Sequence, residues 1–168
     1  MNAFKSSLVL LSLIAVGCAP GHHHGHHHGH AHGHSPHHGI VKPFASSGEQ
    51  TGYVELKLHD DKGDLELWLT KDEAGKQPYD LPLDSVITVD FPKLGKTVKL
   101  QVRNTSKNED EDGKGNIRAG RTNYFIFPGD TGVDPAFLVG KDFASKVVVS
   151  FNGGASKTRS FELKPHTH

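Results

Sequence analysis

A tract of low complexity near the start of the chain limits what the protein can fold into. Eleven of the eighteen residues from 21 to 38 are histidine, and the others are Gly, Ala, Ser and Pro. A stretch without large apolar side chains cannot bury enough surface to offset the conformational entropy lost on folding. We therefore expect these residues to form a disordered arm and the core to come from residues 51–168.

The residues before the arm have the composition of a secretory signal. Lys5 provides a positive charge, and the apolar stretch 8–16 is shorter than the about 20 residues that a transmembrane helix needs. The sequence Ala15-Val16-Gly17-Cys18 resembles a bacterial lipobox, in which Leu is preferred where Ala15 stands. The resemblance implies that residues 1–17 are a lipoprotein signal peptide and that Cys18 becomes a lipid-modified N-terminus. The alternative is an ordinary secretory signal that is cleaved near Ala19, with loss of Cys18.

Lipidation would attach the chain to a membrane, since several acyl chains together anchor a protein stably. In Gram-negative bacteria, Asp after the lipidated cysteine tends to retain a lipoprotein in the inner membrane, and this chain has Ala19 there. The resemblance thus implies a lipid-anchored protein of the bacterial cell envelope, located at the outer membrane and facing the periplasm.

The histidines of the arm are candidate metal ligands. Neutral imidazole binds zinc, copper(II), nickel and cobalt, and glycine spacers allow two or three rings to converge on one ion. Since the one methionine is the initiator, the chain has no thioether ligand for copper(I) after processing. The candidate ligands are His22, His23, His24, His26, His27, His28, His30, His32, His34, His37 and His38. The alternatives are a hydrophilic spacer and a tether that becomes cationic below about pH 6.

Apolar residues alternate with polar ones from Tyr53 onward, which predicts strands. The expected strands are Tyr53–His59, Leu65–Leu69, Ser85–Phe91, Lys96–Arg103, Thr122–Phe127, Lys146–Phe151 and Arg159–Leu163. About seven strands predict an all-β domain, a single immunoglobulin-like β-sandwich, with a small barrel as the alternative. The expected organisation is a signal in 1–17, an arm and linker in 18–50 and the domain in 51–168.

A possible second metal site involves histidines of the domain. His59 ends a predicted strand beside acidic residues, and His166 and His168 close the chain. Residues two apart in an extended segment point to one side, so His166 and His168 can meet the same ion. A composite site with His59 requires this tail to lie near the first hairpin. The alternative is that each histidine is simply solvated.

An acidic loop resembles the first half of an EF-hand-type calcium loop. Asn108, Asp110 and Asp112 alternate before Gly113, and Asn116 follows as a further candidate ligand. The twelfth position is Ala119 instead of the bidentate Glu, so a calcium ion would need another ligand. The alternative is an acidic, solvated hairpin loop.

The order of signal, histidine-rich arm and small β-domain resembles that of histidine-rich periplasmic metal-handling lipoproteins. The resemblance implies a buffer or donor of zinc, copper(II), nickel or cobalt that serves a metal transport or efflux protein. The alternative is a structural or interaction lipoprotein whose domain docks an envelope protein and whose arm is a spacer or pH-responsive tether. Nineteen basic and nineteen acidic residues balance, so we expect no nucleic-acid partner, and we find no motif of an enzyme.

Overall fold

The computed structural model describes residues 35–140, 142–151 and 154–166. Cys18, the nine histidines from 22 to 34 and His168 lie outside this range. The described chain is all-β, as its alternation predicts. Its strands are β1 (Ile40–Ser46), β2 (Glu49–His59), β3 (Leu65–Thr70), β4 (Leu81–Pro82), β5 (Ile87–Phe91), β6 (Lys96–Leu100), β7 (Ile117–Arg118), β8 (Arg121–Thr122), β9 (Tyr124–Phe127), β10 (Phe143–Phe151), β11 (Gly154–Thr158), β12 (Phe161–Leu163) and β13 (Pro165–His166). The helical turns among the described residues are Pro92–Leu94, Gly129–Thr131 and Ala136–Leu138, and no helix there has the length and apolar character to span a membrane.

Ten of the strands form one sheet that curls until its two ends meet. Its order is β6-β5-β10-β11-β1-β2-β3-β9, with β12 added to β10 and β13 added in parallel to β2. Directly after β6, Gln101 exchanges two backbone hydrogen bonds of 3.0 and 2.9 Å with Ile126 of β9. This bridge joins the two end strands, so the sheet nearly closes into a barrel. The short strands β4, β8 and β7 form a separate small sheet.

The immunoglobulin-like sandwich of about seven strands is not confirmed. A sandwich has two sheets packed face to face, whereas here one sheet continues through neighbouring strands and returns to its start. The number and spacing of strands in a sequence do not reveal whether the two end strands of a sheet meet. That contact is the difference between the two architectures. The all-β prediction is confirmed, and the nearly closed barrel corresponds to its alternative.

Strand β1 lies in the segment that the sequence assigns to a linker. Pro43 predicts a loop there, because proline cannot donate a hydrogen bond to a neighbouring strand. In the sheet Pro43 is opposite Tyr53 of β2, while the pairing with β11 involves Phe44 and Ala45. At Pro43, β1 is paired with β2 but not with β11. The missing N–H of the proline is therefore tolerated, because no strand on that side needs it as a donor. Phe44 is fully buried, so the folded domain begins before residue 51.

The main core lies inside the curled sheet. Alternate side chains of β2 and β3 point inward, and those of Leu56, Leu58, Leu65, Leu67 and Leu69 are fully buried. Aromatic and β-branched side chains of the other strands pack against these leucines. Each leucine buried in this way contributes about 1.5–3 kcal/mol relative to an exposed one. The hydrophobic alternation seen in the sequence therefore explains the inner face of the sheet.

Candidate metal centre

The hairpin of β2 and β3 is buried on its outer side as well. Glu55, Lys57 and His59 alternate with the inward-pointing residues of β2, and their exposed fractions are only 2%, 3% and 8%. On β3, Glu66 is 3% exposed and Trp68 2%. We call this surface the covered face; it consists of Glu55, Lys57, His59, Glu66, Trp68, Tyr124 and Ile126.

A second apolar cluster explains part of this burial. Trp68 packs with Tyr124 and Ile126 of β9, and the rings of Trp68 and Tyr124 are 5.1 Å apart. Trp68 alternates with the core leucines of β3, so it points to the outer side of the hairpin. It marks a second covered surface. Charged residues on alternate positions usually face solvent, so the alternation by itself does not reveal this cover.

Part of the cover is the loop between β6 and β7, which depends on Asn108. This residue is fully buried and takes a positive φ of 49°, a conformation that asparagine tolerates better than most residues. Its Oδ1 accepts a hydrogen bond from the Arg103 amide at 2.9 Å. Its Nδ2 donates to Thr122 Oγ1 at 3.0 Å and to the Tyr124 carbonyl at 2.9 Å. These bonds attach the loop to the edge of β9.

The other residues of the predicted calcium loop have similar local roles. Asp110 accepts from the Lys114 amide at 2.9 Å and from Asn116 Nδ2 at 3.1 Å. Asp112 is exposed at the tip of the loop, and Gly113 supplies a positive φ of 74°. Among the described residues, one hydrogen bond joins Asp110 and Asn116, while the side chain of Asn108 turns toward β9. Calcium binding by this loop stays a prediction.

The same loop brings Glu111 to the covered face, where it meets His59 and Glu66. His59 Nε2 lies 2.9 Å from Glu66 Oε2 and 3.4 Å from Glu111 Oε2. The second oxygen of each carboxylate has its own donor: Tyr124 OH donates to Glu66 Oε1, and Lys57 Nζ donates to Glu111 Oε1. Together these side chains form the His59 cluster: His59, Glu66, Glu111, Lys57 and Tyr124.

Within the cluster, the acidic and basic groups change each other's protonation. The hydrogen bond to Glu66 raises the pKa of His59, and burial opposes this effect. Burial alone would raise the pKa of Glu66, but hydrogen bonds with His59 and Tyr124 outweigh it and lower this pKa. Burial and the Glu66 carboxylate raise the pKa of Tyr124, which therefore stays a phenol at neutral pH. The metal-free cluster thus favours an imidazolium–carboxylate pair.

The end of the histidine-rich arm packs against the covered face. The ring of His37 stacks on that of Trp68, with centroids 3.9 Å apart and planes inclined by 3°. Glu55 accepts hydrogen bonds from the amides of His37 and Gly39, at 3.0 and 2.9 Å, and its other oxygen lies 3.0 Å from His37 Nδ1. Burial tends to raise the pKa of Glu55, and these hydrogen bonds reverse the effect and lower it.

The predicted composite site of His59, His166 and His168 depends on where the C-terminal tail lies. Strand β13 pairs with β2 so that His166 is the register partner of His59, and their ring centroids are 6.5 Å apart. The ring of His38 lies 5.7 Å from that of His166. The structure therefore brings the tail to the first hairpin, as the composite site requires. His168 lies outside the described residues, and metal binding by this set stays a prediction.

A cleft opens beside the His59 cluster. It is lined by His59, Glu66 and Glu111, and also by Asp64, Arg103 and residues 126–130. Burial raises the pKa of Asp64 at its edge. Small solutes therefore have access to the cluster from this side.

The sequence indicates His59 and His166 as candidate ligands, which stays a prediction, and gives no indication of Glu55, Lys57, Glu66 or Glu111. The available signal was the tryptophan at position 68, which is unusual among the charged residues of a solvent-facing strand surface. Glu111 could not be found, because its position depends on how the loop folds back over β2. No protein-family model matches the chain, and neither the curated proteins nor the solved structures contain a significant match to it.

Proposed function

We propose that the protein is a lipid-anchored protein of the cell envelope that binds zinc, copper(II), nickel or cobalt through its histidine-rich arm. The arm, residues 21–38, buffers these ions outside the cytoplasm or donates them to a transport or efflux partner. The observation that carries the proposal is the density of imidazoles, eleven in eighteen residues. Imidazole suits all four of these ions, and the intervening Gly, Ala, Ser and Pro residues offer no competing side-chain ligand.

The position of the last two arm histidines supports the proposal. His37 and His38 lie on the domain, and His38 is next to His166, which in turn lies next to His59. An ion bound near the end of the arm would therefore have further imidazoles within a short distance. This arrangement favours exchange of ions between the arm and the domain.

The first experiment replaces the nine histidines from 22 to 34 with serine in the full mature chain, which keeps the length of the arm. Equilibrium dialysis against zinc, copper(II) or nickel at neutral pH then gives the number of ions bound. We expect the unaltered chain to bind several ions and the variant to lose most of them. An unchanged stoichiometry would contradict the proposal.

The structural alternative is tested with the same variant in cells. If the arm is a spacer, an arm of equal length without these nine histidines should restore every phenotype of a deletion strain. If the arm handles metal, growth at high or low metal concentrations should remain impaired. Full restoration of growth by the variant at both high and low metal concentrations would favour the structural alternative.

A further inference from the structure

We propose that the folded domain itself holds a preformed site for a divalent ion of the zinc class, with His59 Nε2, Glu66 Oε2 and Glu111 Oε2 as ligands. One ligand atom from each of these three residues lies within 4.8 Å of the ligand atoms of the other two. The ligand set differs from the His59, His166 and His168 set expected from the sequence. The site is also separate from the arm, so it stands whether or not the arm binds metal.

The distances between the ligand atoms fit a small tetrahedral ion. Zinc binds imidazole nitrogen and carboxylate oxygen at about 2.0–2.2 Å, which separates two ligand atoms in a tetrahedron by about 3.3–3.5 Å. The separations from His59 Nε2 are 2.9 Å to Glu66 Oε2 and 3.4 Å to Glu111 Oε2. The ion would replace the proton between His59 Nε2 and Glu66 Oε2, and these two atoms would move apart by a few tenths of an ångström.

The contacts around the carboxylates orient them for binding. Tyr124 OH donates a hydrogen bond to Oε1 of Glu66, and Lys57 Nζ donates one to Oε1 of Glu111. Each carboxylate is thus held by one oxygen while its second oxygen is directed at His59. Hydrogen-bonded partners of this kind fix ligand orientation in known metal sites. Two carboxylates and a neutral imidazole together carry the negative charge that attracts a divalent cation, and the Lys57 ammonium offsets part of it.

The three ligands differ in how rigidly they are held and in how far they are exposed to solvent. His59 and Glu66 are buried on neighbouring strands, so their positions are fixed by the sheet. Glu111 belongs to a loop, and its side chain is 35% exposed. All three ligands line the cleft, which leaves room for a water molecule as the fourth ligand. We therefore expect a site that binds one ion and exchanges it through the cleft.

The test uses the full mature chain with the nine arm histidines from 22 to 34 replaced by serine. Cobalt(II) serves as a spectroscopic probe, because it absorbs strongly in the visible range when its coordination is tetrahedral. We expect one ion per chain, a tetrahedral cobalt(II) spectrum that zinc abolishes by displacement, and a higher unfolding temperature in the presence of zinc.

Glu111→Gln in this background is the decisive variant, because the side chain is partly exposed and the amide oxygen of glutamine can still accept a hydrogen bond from the buried Lys57. We expect it to weaken zinc binding by about tenfold or more. Glu109→Gln, in the same loop and on an exposed carboxylate paired with Lys107, is the matched control and should leave the affinity unchanged. Glu66→Gln should weaken binding in the same way, with far-ultraviolet circular dichroism as the check on folding.

The results separate this proposal from that for the arm. If the unaltered chain binds several ions and the arm variant binds none, the arm proposal stands and the domain site is overturned. If both bind a single ion that Glu111→Gln weakens, the domain site stands and the arm proposal fails. Binding that is equally strong in Glu111→Gln and Glu109→Gln would also overturn the domain site, and the cluster would then be an ion-pair network without metal.

Discussion

Asn108 shows how a single polar side chain can define a loop. It is fully buried, and all of its side-chain hydrogen-bonding groups have protein partners. The Thr122 hydroxyl and the Tyr124 carbonyl that it bonds belong to fully buried residues, where the loss of a hydrogen-bond partner is costly. The alternation of Asn and Asp in this loop resembles a calcium site because both roles require short side chains with oxygen atoms near a tight turn.

We expect Asn108→Ala to lower the free energy of unfolding by about 2–4 kcal/mol. Alanine removes the buried hydrogen bonds and disfavours the positive φ at this position. Asp112→Ala, in the same loop but exposed, should change stability by less than about 0.5 kcal/mol. Urea denaturation with calcium and with a chelator measures both. If calcium binds the loop, calcium should stabilise the unaltered chain, and Asp112→Ala should remove that effect.

The histidines of the domain and the carboxylates around them differ in how far the sequence predicts them. After the arm the sequence has only three histidines, His59, His166 and His168, so they stand out in the sequence. Glu66 and Lys57 are common residues that alternate with apolar ones, as on any solvated strand. Their burial depends on a loop about forty residues later in the chain, and no local pattern contains that information.

Among the elements, the segment 35–39 contains the last residues of the arm and leads into β1 of the sheet. It has no regular secondary structure, but His37 lies flat on Trp68 and Glu55 binds two of its backbone amides. Composition predicts disorder for the whole arm, because glycine and histidine cannot form a core of their own. The last residues of the arm are ordered because the domain supplies a ring and a carboxylate for them.

We expect His37→Ala to change the fluorescence of Trp68. Trp68 is the one tryptophan of the chain and is 2% exposed, partly through the stacked imidazole. Removal of that ring should shift its emission to longer wavelength and increase quenching by acrylamide. His38→Ala is the control, because the described contact of His38 is with His166. Equal spectra for the two variants would show that His37 does not cover Trp68 in solution.

The strands themselves were largely predictable, and their partners were not. Alternation located β2, β3, β5, β6 and β9 close to their observed bounds. It missed β1, since Pro43 and the nearby serines predict a loop. The pairing of β13 with β2 and the bridge between Gln101 and Ile126 connect residues that are distant in sequence. Such contacts result from the packing of the whole sheet, so a local pattern cannot reveal them.

At the scale of the molecule, the proposals combine a lipid anchor, an arm and a domain with buried surfaces on both sides of one hairpin. The anchor depends on Cys18, the single cysteine of the chain. The resemblance of Ala15-Val16-Gly17-Cys18 to a lipobox is the basis of the proposed lipidation, and Ala19 is the basis of the proposed location at the outer membrane, facing the periplasm.

We expect Cys18→Ser to abolish membrane attachment. Without the thiol no lipid can be added, and the mature chain should move from the detergent phase to the aqueous phase in Triton X-114 partitioning. Ala19→Ser, one position later, keeps the cysteine and should remain in the detergent phase. Partitioning of both variants into the same phase would contradict lipidation at Cys18.

The position of β1 has a mechanical consequence. This strand follows the arm directly and lies inside the sheet, between β2 and β11. A pull on the arm would act along β1 and load its hydrogen bonds to β2 together, since the register with β2 runs from Ile40 to Ser46. A strand at an open edge would instead be peeled away one bond at a time. A tether joined at this point can therefore carry force without unravelling the domain.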